Sequence, residues 1–248
     1  MYAAIWITIS AALIALSAPV RAAGCQDIDF EGASFTFCTA DPSTDDIRLF
    51  LNDGKGDRLG TFDNVETLLA MSGDRLVFAQ NAGMYHPDRR PVGLYIEDRI
   101  EVARIVTSAG PGNFGLLPNG VLCLGETIAK VIESRRFAAV QPDCRYATQS
   151  GPMLVIDGDL HPRFLPDSTS RFIRNGVGIT DGGTMITAIS NSPVTFHHFA
   201  RLFRDVLETP NALFLDGNIS RLYARDIGRH DLGFPMGPIL GVVANRSP

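Results

Sequence analysis

The chain has 248 residues, 45% of them hydrophobic and 20% charged, with a formal net charge of −5. That is enough apolar material for one large core, and the weakly acidic balance supplies no basic field, so a nucleic-acid partner is ruled out of the reading. Lys55 and Lys130 are the only lysines; arginine forks suit carboxylate and phosphate, although a biased composition produces the same usage.

Residues 1–23 read as an export signal. Ala3 to Leu16 is apolar, and Ser17-Ala18-Pro19-Val20-Arg21-Ala22-Ala23 offers the small side chains that a signal peptidase needs, placing cleavage near Ala23. No basic residue precedes the apolar run, so an uncleaved N-terminal anchor is the alternative; lipid attachment at Cys25 is a third reading. No other stretch approaches the roughly 20 apolar residues of a membrane span. Residues 24–248 therefore read as one domain, exported to the periplasm or secreted, with no membrane association in the mature form. Cys25, Cys38, Cys123 and Cys144 fit two bridges in an oxidising compartment. Of three connectivities, Cys25 with Cys38 and Cys123 with Cys144 is favoured, because sequence-local closure is cheapest. A zinc site is disfavoured by the lack of a Cys-x-x-Cys and of any nearby His.

From Gly24 the pattern is strand-like: Ile28 to Phe30, a Glu31-Gly32 turn, Ser34 to Cys38, then Ile47 to Leu51, an opening antiparallel meander. Asn52 to Gly60 reads as a hairpin tip, since the carboxylate register of a calcium loop is missing. Asp63 and Glu66 form a capping box ahead of Val65, Leu68, Leu69 and Met71, with Gly73 as the stop. The apolar run Leu76 to Ala79 then empties into Gln80-Asn81-Ala82-Gly83-Met84-Tyr85-His86-Pro87, a buried strand leading into a polar loop. Such loops carry function when a rigid strand holds them, but Asn and Gly also mark ordinary turns.

Strands are predicted at Val92 to Glu97, Ile100 to Val106, Phe114 to Leu117 and Val121 to Leu124, with Asn119-Gly120 as a hairpin signal, and at Thr127 to Glu133. Three further polar–apolar junctions follow: Thr148 to Ile156, closed by Asp157-Gly158; Arg174-Asn175-Gly176 before Val177 to Ile179; and Ala212 to Leu215 ending in Asp216. A helix is predicted from Ser192 to Glu208, capped by Ser192, with Phe196, Phe199, Ala200, Phe203, Val206 and Leu207 at helical spacing. Its neighbours His197 and His198 point about 100 degrees apart, so they cannot clasp one metal. The pattern implies an α+β (mixed α/β) fold: a large twisted, largely antiparallel sheet, few helices, and one strand-helix-strand crossover near the C-terminus.

In order and spacing, Gln80-Asn81-Ala82-Gly83-Met84-Tyr85, Gln149-Ser150-Gly151-Pro152-Met153-Leu154-Val155, Arg174-Asn175-Gly176-Val177-Gly178 and Leu215-Asp216-Gly217-Asn218-Ile219-Ser220 together resemble the phosphodiester glycosidase family. The flanking Pro91 to Tyr95 and Phe114 to Gly120 add to the likeness, which is greatest with the short bacterial exported branch. The family's glycine- and serine-rich turn after the strand-terminal Asp is here Gly217-Asn218-Ile219-Ser220.

The resemblance implies a hydrolase that cleaves a glycosyl (sugar 1-phosphate) phosphodiester through an oxocarbenium-like transition state, which a carboxylate stabilises or attacks. Asp216 takes that role, Arg174 supports the leaving phosphate, and His86 supplies a proton or hydrogen bond. Asn81, Gln149, Ser150, Asn175, Asn218 and Ser220 are assigned to substrate binding, and Gly83, Gly151 and Gly217 to close backbone approach. The partner implied is a small-molecule or glycan phosphodiester. No cofactor is expected, while a divalent metal at the phosphate and the oligomeric state stay open. Each residue also has a structural reading: Asn81 and Gln149 satisfy buried backbone groups, and Arg174 pairs with Asp216. The rival functions are a non-catalytic periplasmic or envelope protein that holds an anionic glycan, and a metal-dependent phosphoesterase. A serine hydrolase is disfavoured because Ser150-Gly151 lacks the Gly-x-Ser-x-Gly elbow.

Overall fold

The structure, a computed structural model, describes residues 23–216 and 219–245. The export signal therefore lies outside the described residues, apart from Ala23. The chain opens with the hairpin β1 (Gly24–Phe30) and β2 (Ala33–Ala40), turned by Glu31 and Gly32 at φ 46° and 78°. Next come β3 (Asp46–Phe50), helix α1 (Phe62–Ala70) and β4 (Asp74–Asn81). β5 (Tyr95–Glu97), β6 (Ile100–Ala103), β7 (Gly120–Leu124) and β8 (Ala129–Glu133) lead into helix α2 (Ser134–Val140). β9 (Tyr146–Ser150), β10 (Met153–Ile156), β11 (Asp159–Leu160), β12 (Asn175–Ile179) and β13 (Met185–Ser190) follow. Helix α3 (Phe196–Arg201) runs on into a π-helical turn, Leu202–Val206. β14 (Asn211–Asp216), β15 (Leu222–Ala224), β16 (Arg229–His230) and β17 (Ile239–Asn245) come last.

The strands form three sheets, with orders β1-β2-β13-β12-β14-β10-β11, β16-β15-β4-β17-β3 and β6-β5-β9-β7-β8. The fold is thus largely β, with antiparallel pairing and short helices, but the one dominant sheet expected from strand spacing is three. The opening meander is also corrected: β3 leaves the first hairpin and pairs with β17, Leu49 opposite Leu240. The expected crossover is present. β13 and β14 both lie antiparallel to β12, so they run parallel to each other, with α3 and the π-helical turn carrying the chain across.

All three sheets turn one face to a common core, where Leu49, Phe78, Leu122, Val177, Leu213 and Leu240 meet. A helix covers the other face of each. Phe199 and Phe203 pack on Phe35 and Phe214 of the first sheet, Phe62 and Val65 on Leu76 and Ala79 of the second, and Phe137 on Val121 and Ala147 of the third. This accounts for the unbroken apolar runs. Along β14, Leu213 and Leu215 enter the common core while Ala212 and Phe214 face α3, so both periods of a strand are apolar. Each such Leu or Phe stabilises the fold by roughly 1.5–3 kcal/mol.

Local signals were less exact at element ends. Helix α1 is capped by Thr61, whose Oγ1 accepts the Asn64 N–H at 3.2 Å, rather than by Asp63. Glu66, assigned to the capping box, instead accepts the Leu76 N–H at 2.9 Å. Helix α3 starts at Phe196 under Thr195, not at Ser192, because Val194 is held extended by a backbone bridge to Phe172. Residues 114–117 form turns and no strand, so Asn119-Gly120 is not a hairpin turn. Two disulfides are formed, Cys25 with Cys38 directly across the β1–β2 hairpin and Cys123 with Cys144.

Candidate active site

The site is built where strand ends from two sheets converge. β12 begins where β14 ends, Asn175 standing opposite Asp216, and β4 of the second sheet ends at Asn81. Two buried amides join the sheets: Asn175 Nδ2 donates to Asn81 Oδ1 at 2.7 Å and to the Asn81 carbonyl at 3.1 Å. Asn81 Nδ2 donates back to Asn175 Oδ1 at 3.3 Å, and Asn81 Oδ1 also accepts the Arg221 N–H at 3.0 Å. The Ser220 hydroxyl lies within hydrogen-bond reach of the carbonyls of Asp216 and Ile173, at 2.8 and 3.2 Å, sharing its one proton between them at the end of β14.

Beside this junction opens a cavity of about 420 Å³. Asp216, Arg174, Tyr85 and Asn113 form its polar lining, and Met84, Val92, Phe172 and Ile219 its apolar lining. Arg174 is 1% exposed. Its guanidinium carbon lies 3.6 Å from the ring centroid of Phe196, with Phe172 and Phe214 each at 5.5 Å. Its Nε donates to the Val194 carbonyl at 2.9 Å and an Nη to the Ser170 carbonyl at 3.2 Å. Burial draws its pKa down to about 10, with no carboxylate among the described residues offsetting the shift. Among the described residues its side-chain hydrogen bonds run to backbone carbonyls rather than to Asp216. Arg174 is still a full cation at neutral pH, clamped between aromatic faces worth up to about 2 kcal/mol when desolvated.

Of the sequence-derived candidates, Asp216 and Arg174 line the cavity, while Asn81, Asn175 and Ser220 stand behind it as braces. The rest are placed differently. Gln149 is 2% exposed and all four of its amide positions are used by the protein: Oε1 accepts from the N–H groups of Leu94 and Val106, both at 3.0 Å, and Nε2 donates to the Val106 carbonyl at 2.6 Å and Ser134 Oγ at 2.8 Å. Its place is that of a pin for the 94–106 segment. Ser150 Oγ donates to the Leu215 carbonyl at 2.9 Å, tying β9 to β14. Gly83 and Gly151 make their close approaches to Thr148 and Asn119, where an added Cβ would come within 3.0 and 2.6 Å. His86 is exposed in the turn after Tyr85 and is not among the residues lining the cavity. Gly217 and Asn218 lie outside the described residues.

Tyr85, Asn113 and Phe172 are cavity residues that the sequence reading passed over. Spacing gives a usable signal for one of them, Phe172, two residues before Arg174; Tyr85 lies past the end of β4, where strand alternation gives none. Among the described residues no group of three or more His, Cys, Asp or Glu side chains is arranged to hold a metal ion.

Fold and cavity together define a β-rich α+β protein with a carboxylate and a buried guanidinium at converging strand ends. Residues 74–235 match the phosphodiester glycosidase family, and the chain belongs to it. It is 32% identical over 189 residues to the "Uncharacterized protein YigE" of Escherichia coli (strain K12), covering 75% of this chain and 73% of that one. Among solved structures it resembles the catalytic domain of zebrafish N-acetylglucosamine-1-phosphodiester alpha-N-acetylglucosaminidase, auto-inhibited by its pro-peptide. That match has a TM-score of 0.62 and 13% identity over 92% of this chain and 84% of that one. A putative exported protein from Burkholderia pseudomallei K96243 matches with a TM-score of 0.52 and 11% identity, over 85% and 74% of the two chains.

Proposed function

We propose that this protein is an exported hydrolase that cleaves a glycosyl phosphodiester at the sugar carbon, releasing free sugar and a phosphomonoester. The observation that carries the reading is the presence of unlike charges in one cavity: a buried guanidinium with no carboxylate partner among the described residues stands ready for an external anion. Family membership supports the reaction class. The two disulfides fit an oxidising, extracytoplasmic compartment.

In this reading Asp216 faces the anomeric carbon and stabilises or traps the oxocarbenium-like centre as the bond to the bridging oxygen breaks. The departing phosphomonoester is a weak base, so it needs neutralisation more than protonation, and Arg174 supplies it. Water then completes the sugar hemiacetal.

The test is incubation with the methyl phosphodiester of N-acetylglucosamine 1-phosphate in ¹⁸O-labelled water. The reading expects label in the sugar and none in the phosphate, with Asp216→Asn lowering kcat by about 10²–10³-fold. Label in the phosphate would mean phosphorus–oxygen cleavage by another mechanism. Tight binding of the diester without turnover, unchanged by Asp216→Asn, would identify a glycan-binding protein instead.

A further inference from the structure

The Tyr85 hydroxyl is buried in the cavity wall and has no hydrogen-bond partner among the described residues. Buried polar atoms in native proteins are nearly always paired, so an orphan on a residue that lines a cavity marks a place where something bound can supply the partner.

The orphan state is not slack in a loose loop. Tyr85 forms a backbone bridge with Pro91, and the neighbouring Met84 carbonyl accepts the Val92 N–H at 3.1 Å. Behind the ring lies Gly237 of the Phe234-Pro235-Met236-Gly237-Pro238 loop, where an added Cβ would fall 2.6–2.7 Å from Cβ, Cγ and Cδ1 of Tyr85. Gly237 does not adopt the left-handed conformation that would itself call for glycine, so the missing side chain serves the ring's seat. The ring is thus held in place by packing.

Its chemistry is that of a donor. Burial, and next the negative charge of Asp216, raise the phenol's pKa above its ordinary value, so it stays protonated through neutral and mildly alkaline pH. A phosphoryl group brought beside Asp216 needs donors on its oxygens to offset the like charge, and Arg174 provides only part of them.

We propose that Tyr85 is a substrate-contacting residue whose hydroxyl donates a hydrogen bond to a phosphoryl oxygen of a sugar 1-phosphodiester held between Asp216 and Arg174. This rests on reading the cavity as the substrate site. The proton stays on Tyr85 throughout, and the bond strengthens as negative charge gathers on the leaving phosphate.

The experiment compares wild type, Tyr85→Phe and Asp216→Asn by thermal unfolding, by kcat and KM on the methyl phosphodiester of N-acetylglucosamine 1-phosphate, and by calorimetric titration with N-acetylglucosamine 1-phosphate. Tyr85→Phe removes an unpaired oxygen and no hydrogen bond among the described residues, so its Tm is expected to equal or exceed that of wild type. Its kcat/KM is expected to fall about 10- to 100-fold, mostly in kcat, with weaker binding of the sugar phosphate. A kcat/KM within about twofold of wild type, while Asp216→Asn loses about 10²–10³-fold in kcat, overturns the role of Tyr85 and leaves the hydrolase reading intact. A Tm several degrees lower with a parallel loss of activity also overturns it, since the hydroxyl would then have a structural partner. If wild type binds without turnover, affinity is the readout: weaker binding by Tyr85→Phe supports the contact and equal binding overturns it. If wild type neither cleaves nor binds, the site reading and the Tyr85 proposal fall together.

Discussion

Asn175 Oδ1 accepts the backbone N–H of Asp216 at 2.9 Å, so the residue that opens β12 fixes the one that closes β14. The same side chain holds Asn81 of another sheet, at 2.7 and 3.1 Å. Truncation to Asn175→Ala leaves a buried N–H, a carbonyl and the Asn81 amide without these partners. At about 1 kcal/mol for each bond lost, and more for groups left buried and unpaired, a loss of roughly 2–4 kcal/mol is expected in a urea titration. Activity on a glycosyl phosphodiester should fall with it even at temperatures where the variant is folded, because the Asp216 backbone is no longer held. A variant as stable as wild type would show that the two sheets do not depend on this brace.

How much of this was legible in the sequence follows the reach of each signal. β14 and its terminal carboxylate were readable because a run of apolar residues ending in Asp is a local pattern, and the 13-residue separation of Cys25 and Cys38 made their closure local too. The three-sheet division was not readable. Strand signals name strands but not partners, and nothing near Leu49 announces Leu240 across about 190 residues. The site divided the same way. Polarity at strand ends picked out Asp216 and Arg174, but it could not separate a side chain facing a cavity from one consumed inside the protein, which is why Gln149 was included and Tyr85 left out.

Gln149 gives that distinction a measurable form. Its four hydrogen bonds all run to the protein, and two of them hold Val106. Gln149→Ala is expected to lose roughly 2–4 kcal/mol and to speed amide hydrogen exchange across residues 94–106, while KM for the diester moves by less than about twofold in the folded variant. A large rise in KM with exchange unchanged would return Gln149 to the substrate.

Arg174 poses the opposite case, a group whose stability and function should separate. Its burial with no carboxylate partner among the described residues is costly, and the ring contacts with its two carbonyl bonds offset that cost. Arg174→Met removes both sides of the balance, so stability should change by no more than about 1 kcal/mol, while calorimetric binding of N-acetylglucosamine 1-phosphate disappears. In wild type, binding should persist to about pH 9 and fade as the pH passes the guanidinium's value of about 10, where the cation is lost. Binding that survives in Arg174→Met would place the anion elsewhere.

Glu97 supplies a pH dependence of stability separate from the site. Burial raises its carboxyl to about 7 from an ordinary 4.5, against the opposing hydrogen bond that Tyr95 Oη donates to it at 3.1 Å. Between those two values the folded protein holds the proton more tightly than the unfolded chain does. Stability from this group is therefore complete below about pH 4.5 and is lost as pH rises through 7. Discounted for the partial exposure of Glu97, the loss is about 1–2 kcal/mol. Urea midpoints at pH 5, 6, 7 and 8 should fall for wild type and stay flatter for Glu97→Gln, which keeps an acceptor for Tyr95 and has no charge to bury. The two proteins should therefore agree near pH 5 and diverge by pH 8, with the variant the more stable. Parallel curves across that range would show that Glu97 ionises in the folded protein at no greater cost than in the unfolded chain.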